Sequence, residues 1–199
     1  LNFGALPVPV ELVSSQSVGP SLGQTALAQS VMAGLWGFAL VALFLVLWYR
    51  LPGLIAVVAL LMYVAISLMI FKLIPVTLTV AGLAAFILSI GMAVDANILI
   101  FERTKEELGG GKDLPEAIKE GFHRAWSSIR DSNLSSIITG IILFWFGGTA
   151  VIKGFALVFV IGVLISMFTA TTVTRTFLMA LGLAHSKAAH FLFGHGLSK

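Results

Sequence analysis

The chain has 199 residues, of which 58% are hydrophobic and only 11% are charged, and its mean hydropathy is +1.04. About a quarter of the residues of a soluble domain are charged, so this composition excludes an ordinary soluble protein and predicts an all-α membrane protein. The sequence has no cysteine, which excludes disulfides, thiolate metal sites and cysteine nucleophiles. Its net charge of +3 is small, and we expect no nucleic-acid partner.

Residues 1–27 are predicted to be the end of an extracytoplasmic region that leads into the first membrane helix. The segment Val8–Val13 reads as a strand, and Pro7 and Pro9 restrict it to the edge of a sheet because proline donates no ladder hydrogen bond. A short strand with no sheet of its own is expected to pair with residues upstream of it. Pro20 follows a glycine and is well placed to begin the helix that enters the membrane.

Five apolar segments within residues 28–175 are predicted to form a transmembrane bundle, because a bilayer is spanned by about 20 apolar residues per helix. They are Ala28–Trp48, Leu54–Phe71, Val76–Phe101, Asn133–Phe146 and Gly154–Arg175. Proline and glycine mark the breaks between them, at Pro52, Pro75 and Gly147. The fourth segment is the shortest, and its helix is predicted to begin within residues 132–136.

The distribution of basic residues predicts the orientation, since cytoplasmic loops carry an excess of lysine and arginine. With the N-terminus outside, ten of the 12 basic residues are cytoplasmic: Arg50, Arg103, Lys105, Lys112, Lys119, Arg124, Arg130, Arg175, Lys187 and Lys199. Only Lys72 and Lys153 fall outside. Residues 176–199 are then a cytoplasmic tail or linker. Its histidines recur every five residues from His185, a spacing that matches no familiar zinc site, so we expect no bound metal.

An amphipathic helix is predicted over residues 113–130, between the third and fourth segments. Gly109–Gly111 end the preceding helix, and Asp113 with Glu116 forms a D-x-x-E pattern typical of a helix start. One face then carries apolar side chains at helical spacing: Leu114, Ile118, Phe122, Ala125, Trp126 and Ile129. This face either lies on the inner membrane surface or packs against the protein's own helix ends, and both interpretations stay open.

Asp95 is the most informative single residue, because it lies inside the apolar segment Val76–Phe101. A charge near the middle of a membrane helix costs about 2.5–3.5 kcal/mol even on the mildest insertion scale, so such an acid is usually functional. The sequence offers no lysine or arginine at this depth, so Asp95 is a candidate proton carrier unless a partner supplies a cation. A polar contact that only joins two helices is the alternative. Asn97, about 200° around the helix, is predicted to face elsewhere.

Small and hydroxyl-bearing residues on three predicted helices are candidates to support the acid. They are Gly91 one turn before it, Ser136 and Thr139 on the fourth segment, and Ser166 and Thr169 on the fifth. They line either a hydrated path or the packing seams that small residues usually form between membrane helices. The segment Gly109–Lys112 (GGGK) lacks the leading glycine and the Ser/Thr of a phosphate-binding loop, so we expect no nucleotide site and no cofactor.

The segment Gly91–Leu108, GMAVDANILIFERTKEEL, closely resembles the fourth transmembrane helix of the SecD family of bacterial protein export. Further segments resemble the same family: Gly4–Leu12 (GALPVPVEL), Val18–Gly23 (VGPSLG), Glu116–Ile138 and Lys153–Arg175. At Asp131–Ser136 the sequence reads DSNLSS where the family often reads DANLTT, and the replaced side chains stay small and polar. The resemblance covers nearly the whole chain except its C-terminal end.

The resemblance implies a fold similar to the resistance-nodulation-division (RND) superfamily, which has six helices in each of two pseudo-symmetric halves. This chain would hold helices two to six of the SecD half. Asp95 would be the proton-pathway aspartate, and SecF would supply its arginine partner. The implied function is proton-driven help for a polypeptide leaving the SecYEG channel in the bacterial inner membrane, with YidC as a further partner and without enzymatic chemistry. Two rivals stay open: a proton-coupled RND-type exporter of small molecules or lipids, and a passive scaffold subunit of the translocase.

Overall fold

The computed structural model describes residues 20–180, with side chains described from residue 25 onward. Its elements are α1 (Pro20–Leu73), α2 (Val80–Gly109), α3 (Leu114–Phe146), α4 (Ala150–Phe168), a π-helical segment (Thr169–Thr174) and α5 (Arg175–Ala180). Every one of them is helical, so the prediction of an all-α protein is confirmed for this part of the chain. The predicted strand Val8–Val13 and the histidines of the C-terminal tail lie outside the described residues.

α1 is a hairpin of two helical arms. Its backbone turns at Arg50, whose φ of 52° and ψ of −116° lie in a region that L residues avoid. Gly53 permits this turn, because a Cβ there would lie 1.9 Å from the carbonyl oxygen of Leu45. Beyond the turn the arms lie side by side, so that Phe38 from the first and Leu61 from the second line one cleft. The predicted break between the first two apolar segments is therefore confirmed.

α2 is the central helix and packs against α1, α3 and α4. A Cβ on Gly162 of α4 would lie 2.4 Å from the hydroxyl oxygen of Ser89 on α2, so only glycine allows this crossing. The hydroxyls of Ser89 and of Tyr63 on α1 lie 2.6 Å apart and share a buried hydrogen bond. Close packing of small residues together with such bonds is how membrane helices usually associate, since lipid provides no hydrophobic drive between them.

α3 differs from the prediction, because it runs without a break through all of its 33 residues. The predicted start of a separate helix at residues 132–136 is wrong, whereas the predicted helix start after Asp113 is confirmed. Polar side chains in the middle of α3 do not end it, because they bond back to its own carbonyls. Asn133 Nδ2 donates to Ile129 O at 2.7 Å, and Ser136 Oγ donates to the carbonyl one turn earlier at 3.1 Å.

The N-terminal half of α3 buries its apolar face against the protein itself. Four of the predicted face residues are at most 4% exposed in a core shared with α2: Leu114, Ile118, Ala125 and Ile129. At Gly121 the two backbones touch, since a Cβ there would lie 2.5 Å from the amide nitrogen of Thr104. Packing on the protein's own helix therefore holds for this face, although Phe122 and Trp126 are buried only in part.

Three helices are long and apolar enough to cross a membrane, over Thr25–Leu73, Val80–Gly109 and Ala150–Ala180. The first contains both arms of α1. α3 is not among them, because its apolar run, Asn133–Phe146, is about 20 Å long as a helix and shorter than the roughly 30 Å hydrocarbon core. The described residues thus form a helical membrane protein, while the predicted orientation stays a prediction.

Candidate functional site

Asp95 lies on the open face of α2, the side of this helix that its neighbours leave exposed, at the edge of a groove with α3. Asp95 is exposed. Ala84, Leu88 and Gly91 are exposed as well, and they precede Asp95 along the same side of α2 at intervals of about one turn. The opposite side of α2 is buried against α1, α3 and α4. A carboxylic acid within a candidate span thus faces away from the chain's own core.

A cavity of about 100 Å³ lies beside Asp95, in the groove between α2 and α3. It is lined by Met92, Asp95, Ala96 and Leu99 from α2 and by Ile129, Ser132, Asn133 and Ser136 from α3. A water molecule needs roughly 10–15 Å³ of such volume and a few polar partners, so the cavity suits several waters. Its lining contains no lysine or arginine. Among the described residues, the acid therefore has room for water beside it but no cation in its cavity.

The structure brings together only some of the predicted supporting residues. Ser136 lines the cavity beside the acid, whereas Gly91 and Thr139 are exposed outside the lining. Ser166 and Thr169 are buried elsewhere and donate to carbonyl oxygens of their own helix at 2.8 and 3.1 Å. The packing interpretation fits these last two residues. Near the acid, the polar lining comes from α3 alone.

Two residues that the sequence did not single out, Ser132 and Asn133, also line the cavity. Ser132 lies one helical turn before Ser136, so polar residues at i, i+4 on α3 were a usable signal for it. Asn133 is 5% exposed. Together these side chains place hydroxyl and amide groups on the wall opposite Asp95.

Asn97 faces away from Asp95, as predicted, and the structure shows that it lies in the core and joins α2 to the π-helical segment. Its side chain is 2% exposed, and its Oδ1 accepts a 2.7 Å hydrogen bond from the hydroxyl of the fully buried Thr174. π-Helical turns are rare and occur often at functional sites. The bond ties the helix that carries Asp95 to the last described part of the chain. No spacing in the sequence reveals the π-helical turn that brings Thr174 there.

A group of ion pairs holds the end of the α2–α3 groove. Arg124 of α3 pairs with Glu107 and, at 3.3 Å, with Glu106 of α2, and Lys112 pairs with Glu107 at 2.6 Å. The hydrogen bond to the Glu107 carboxylate raises the pKa of Lys112 above its ordinary value. Surface pairs of this kind contribute little to stability individually. Together they join the end of α2 to α3 through Arg124 and to the following loop through Lys112.

Residues 5–184 match the family described as "Protein export membrane protein SecD/SecF, C-terminal". The chain is 56% identical over 191 residues to a protein translocase subunit SecD of Thermobaculum terrenum. It is 48% identical over 181 residues to a protein translocase subunit SecDF of Bacillus subtilis. These alignments cover 94% and 91% of this chain but only 37% and 24% of the two relatives. The chain thus spans little more than a third of the length of the first relative.

Solved structures of the same family share the arrangement of the helices. A crystal structure of SecDF from Thermus thermophilus, described as a translocon-associated membrane protein, matches with a TM-score of 0.81 at 33% sequence identity. That match covers 92% of this chain and 24% of the solved one. A SecDF structure in a super-membrane-facing form matches 89% of this chain with a TM-score of 0.77 at 36% identity.

Proposed function

Because this chain belongs to the SecD/SecF family of protein-export membrane proteins, we propose that it is the membrane half of a SecD-type subunit of the Sec translocase. In this proposal a proton moves through Asp95 down its electrochemical gradient, and the resulting helix movement helps a polypeptide to cross the membrane. The proton gradient is the energy source, and the proposal requires no cofactor. No covalent bond of the polypeptide is made or broken, so the protein is not an enzyme in this proposal.

The observation that carries the proposal is the exposed acid of Asp95 within an apolar span, beside a cavity with room for water. A charge at that depth is costly in lipid, so the ionised acid requires water or a polar partner and the neutral acid does not. The ionised form therefore favours contact of the open face of α2 with water or a polar partner, and protonation of Asp95 removes this preference. A ligand that interacts differently with two states shifts the equilibrium between them.

The proton gradient is large enough for this task. Moving one elementary charge across 100 mV releases about 2.3 kcal/mol, so one proton crossing about 150 mV releases about 3.5 kcal/mol. Such an energy shifts a two-state equilibrium by roughly several hundredfold, which biases a conformational change strongly.

The open face of α2 is the proposed contact with a SecF-type partner. Gly91 and Ala84 on this face permit close approach of another helix, and the partner would supply the cation that the cavity lining lacks. SecYEG and YidC are proposed as further partners, because the relatives are named protein translocase subunits. The bacterial inner membrane, with the N-terminus periplasmic and the C-terminus cytoplasmic, is the proposed location and orientation.

The proposal is tested by Asp95→Asn in the complete SecD-type protein, reconstituted with its partner in proteoliposomes. Asparagine keeps the shape of the side chain but releases no proton, so gradient-driven stimulation of polypeptide export should fall to the level without a gradient, while assembly stays normal. The matched control is Asp131→Asn, which makes the same chemical change at an exposed aspartate that pairs with Arg130 at 2.9 Å outside the cavity. Wild-type export and proton flux from the Asp95 variant would refute the proposal and favour a passive scaffold.

A proton-coupled exporter of small molecules or lipids is the second candidate, and one observation favours it. α1 and α2 enclose an almost wholly apolar cleft of about 390 Å³, with Phe38, Leu83 and Phe86 in its lining. Ligand pockets typically measure about 300–1,000 Å³ and are mostly apolar. A neighbouring membrane helix fits such a cleft equally well, and family membership supports protein export as the first candidate. Efflux of an apolar compound without stimulated polypeptide export, in the same proteoliposomes, would reverse this choice.

A further inference from the structure

Two cations and a stacked aromatic pair surround a cleft at the end of the bundle where α5 begins. Phe122 and Trp126 of α3 stack with their ring centroids 6.4 Å apart. The guanidinium of Arg175 lies 4.8 Å from the centroid of the Phe122 ring. The cleft beside them has a volume of about 370 Å³, and its lining includes Lys119 and His123.

The cations of this cleft are available to an outside anion. Lys119 and Arg175 take part in none of the ion pairs of the described chain. One acid, Glu120, also lines the cleft, so two cations face one carboxylate before His123 is counted. Arg175 contacts the Phe122 ring and forms no ion pair within the described residues, so its guanidinium keeps N–H donors for an outside anion.

A second basic cleft, on the other side of Trp126, has no arginine that is free of a carboxylate partner. Arg103, Arg124 and Arg130 line it, but each already pairs with a carboxylate of this chain at the surface. An anion entering there would have to compete with those carboxylates. The two clefts therefore have similar charge and different availability.

We propose that the cleft around Lys119 and Arg175 binds the phosphate of an anionic phospholipid, with Phe122 and Trp126 against the upper part of its acyl chains. The cleft lies near the end of the candidate span Ala150–Ala180, where a lipid headgroup is within reach. Tryptophan is enriched at that level of the bilayer, and basic clusters beside membrane helices attract anionic lipids. The proposed site is separate from the cavity of Asp95 and does not rest on proton transport.

Trp126 itself can report the lipid that occupies the site. Replacing Trp36, Trp48 and Trp145 by phenylalanine leaves Trp126 as the only tryptophan of these 199 residues. In mixed bilayers, brominated phosphatidylglycerol should quench its fluorescence more than brominated phosphatidylcholine does at the same mole fraction. Each cation near an anionic surface contributes a factor of about five in binding, so Lys119→Gln with Arg175→Gln should lower the preference by about fivefold to about 25-fold.

Two further variants separate a defined site from general attraction to a charged surface. Arg103→Gln with Arg130→Gln removes the same charge on the other side of Trp126 and should leave the preference unchanged. Lys119→Arg with Arg175→Lys keeps both charges and should retain the preference, which rules out misfolding as the cause of its loss. Equal quenching by the two lipids, or equal losses in both glutamine variants, would overturn the proposal. Displacement of the lipid by excess inorganic phosphate, but not by chloride at equal ionic strength, would assign the cleft to a free phosphate compound instead.

Discussion

At the scale of single residues, the hydrogen bond between Asn97 and Thr174 is the clearest link from α2 to the π-helical segment. Both residues are buried, and the donor and acceptor atoms lie 2.7 Å apart. Thr174→Val keeps the shape of the side chain and removes the donor. Bonds between membrane helices contribute about 0.6 kcal/mol on average and about 1.7 kcal/mol at most, so we expect a loss of stability in this range.

Unfolding of the purified chain in detergent, followed by circular dichroism, measures this loss. The control is Thr172→Val, which makes the same chemical change at an exposed threonine of the same π-helical segment. Equal stability of the two variants would show that the bond to Asn97 contributes nothing.

The same residues show what spacing along a helix can and cannot predict. Asp95 was recognisable because one acid interrupts an apolar segment, and the direction of Asn97 followed from the 3.6-residue period of α2. Thr174 was not recognisable, because a π-helical turn changes the period of the following helix and so changes which side chains face α2. Ser132 was not singled out from the sequence, although its spacing of one helical turn from Ser136 was a usable signal.

At the scale of elements, the contact between α2 and α3 depends on one glycine. A Cβ on Gly121 would lie 2.5 Å from the nitrogen and 2.6 Å from the Cα of Thr104, and backbone atoms cannot rotate away. Overpacking of a core typically costs about 1–3 kcal/mol, so Gly121→Ala should lower the stability of the protein by at least this amount.

Thermal unfolding in detergent tests this prediction, with Gly109→Ala as the matched control. Gly109 also lies in a helix, but a Cβ there meets nothing within 4 Å, so that variant should be as stable as the wild type or slightly more stable. A Gly121 variant as stable as its control would mean that α2 and α3 separate easily at this point.

The two longest elements were predicted with unequal success for physical reasons. Pro52 and Gly53 indicated the turn within α1, although the positive φ at Arg50 has no signature in the sequence. The sequence predicted two helices in place of α3, because the residues change from an amphipathic pattern to an apolar one along it. Hydropathy detects that change but does not show whether the backbone breaks there. Serines and an asparagine that bond to carbonyls of their own helix let the backbone continue through that change.

At the scale of the whole molecule, large apolar side chains cover much of the outer surface. Trp36, Trp145 and Phe146 are 67%, 77% and 82% exposed, values that suit contact with lipid or with further helices. Composition and family resemblance were sufficient to predict a helical membrane protein. They were not sufficient to identify the open side, because that depends on which face of α2 the neighbouring helices bury.

The open side of α2 leads to the last prediction, which concerns assembly. Gly91 lies one turn before Asp95, and a Cβ at this position meets nothing within 4 Å. Gly91→Leu should therefore leave the stability of the isolated chain unchanged. In the complete protein, overpacking by about 1–3 kcal/mol should weaken association with a SecF-type partner by about fivefold to about 150-fold, measured by co-purification from the membrane. Gly37→Leu is the matched control, since Gly37 of α1 is equally open, and it should co-purify normally. Normal association of the Gly91 variant, or equal loss in both variants, would place the partner on another face of the bundle.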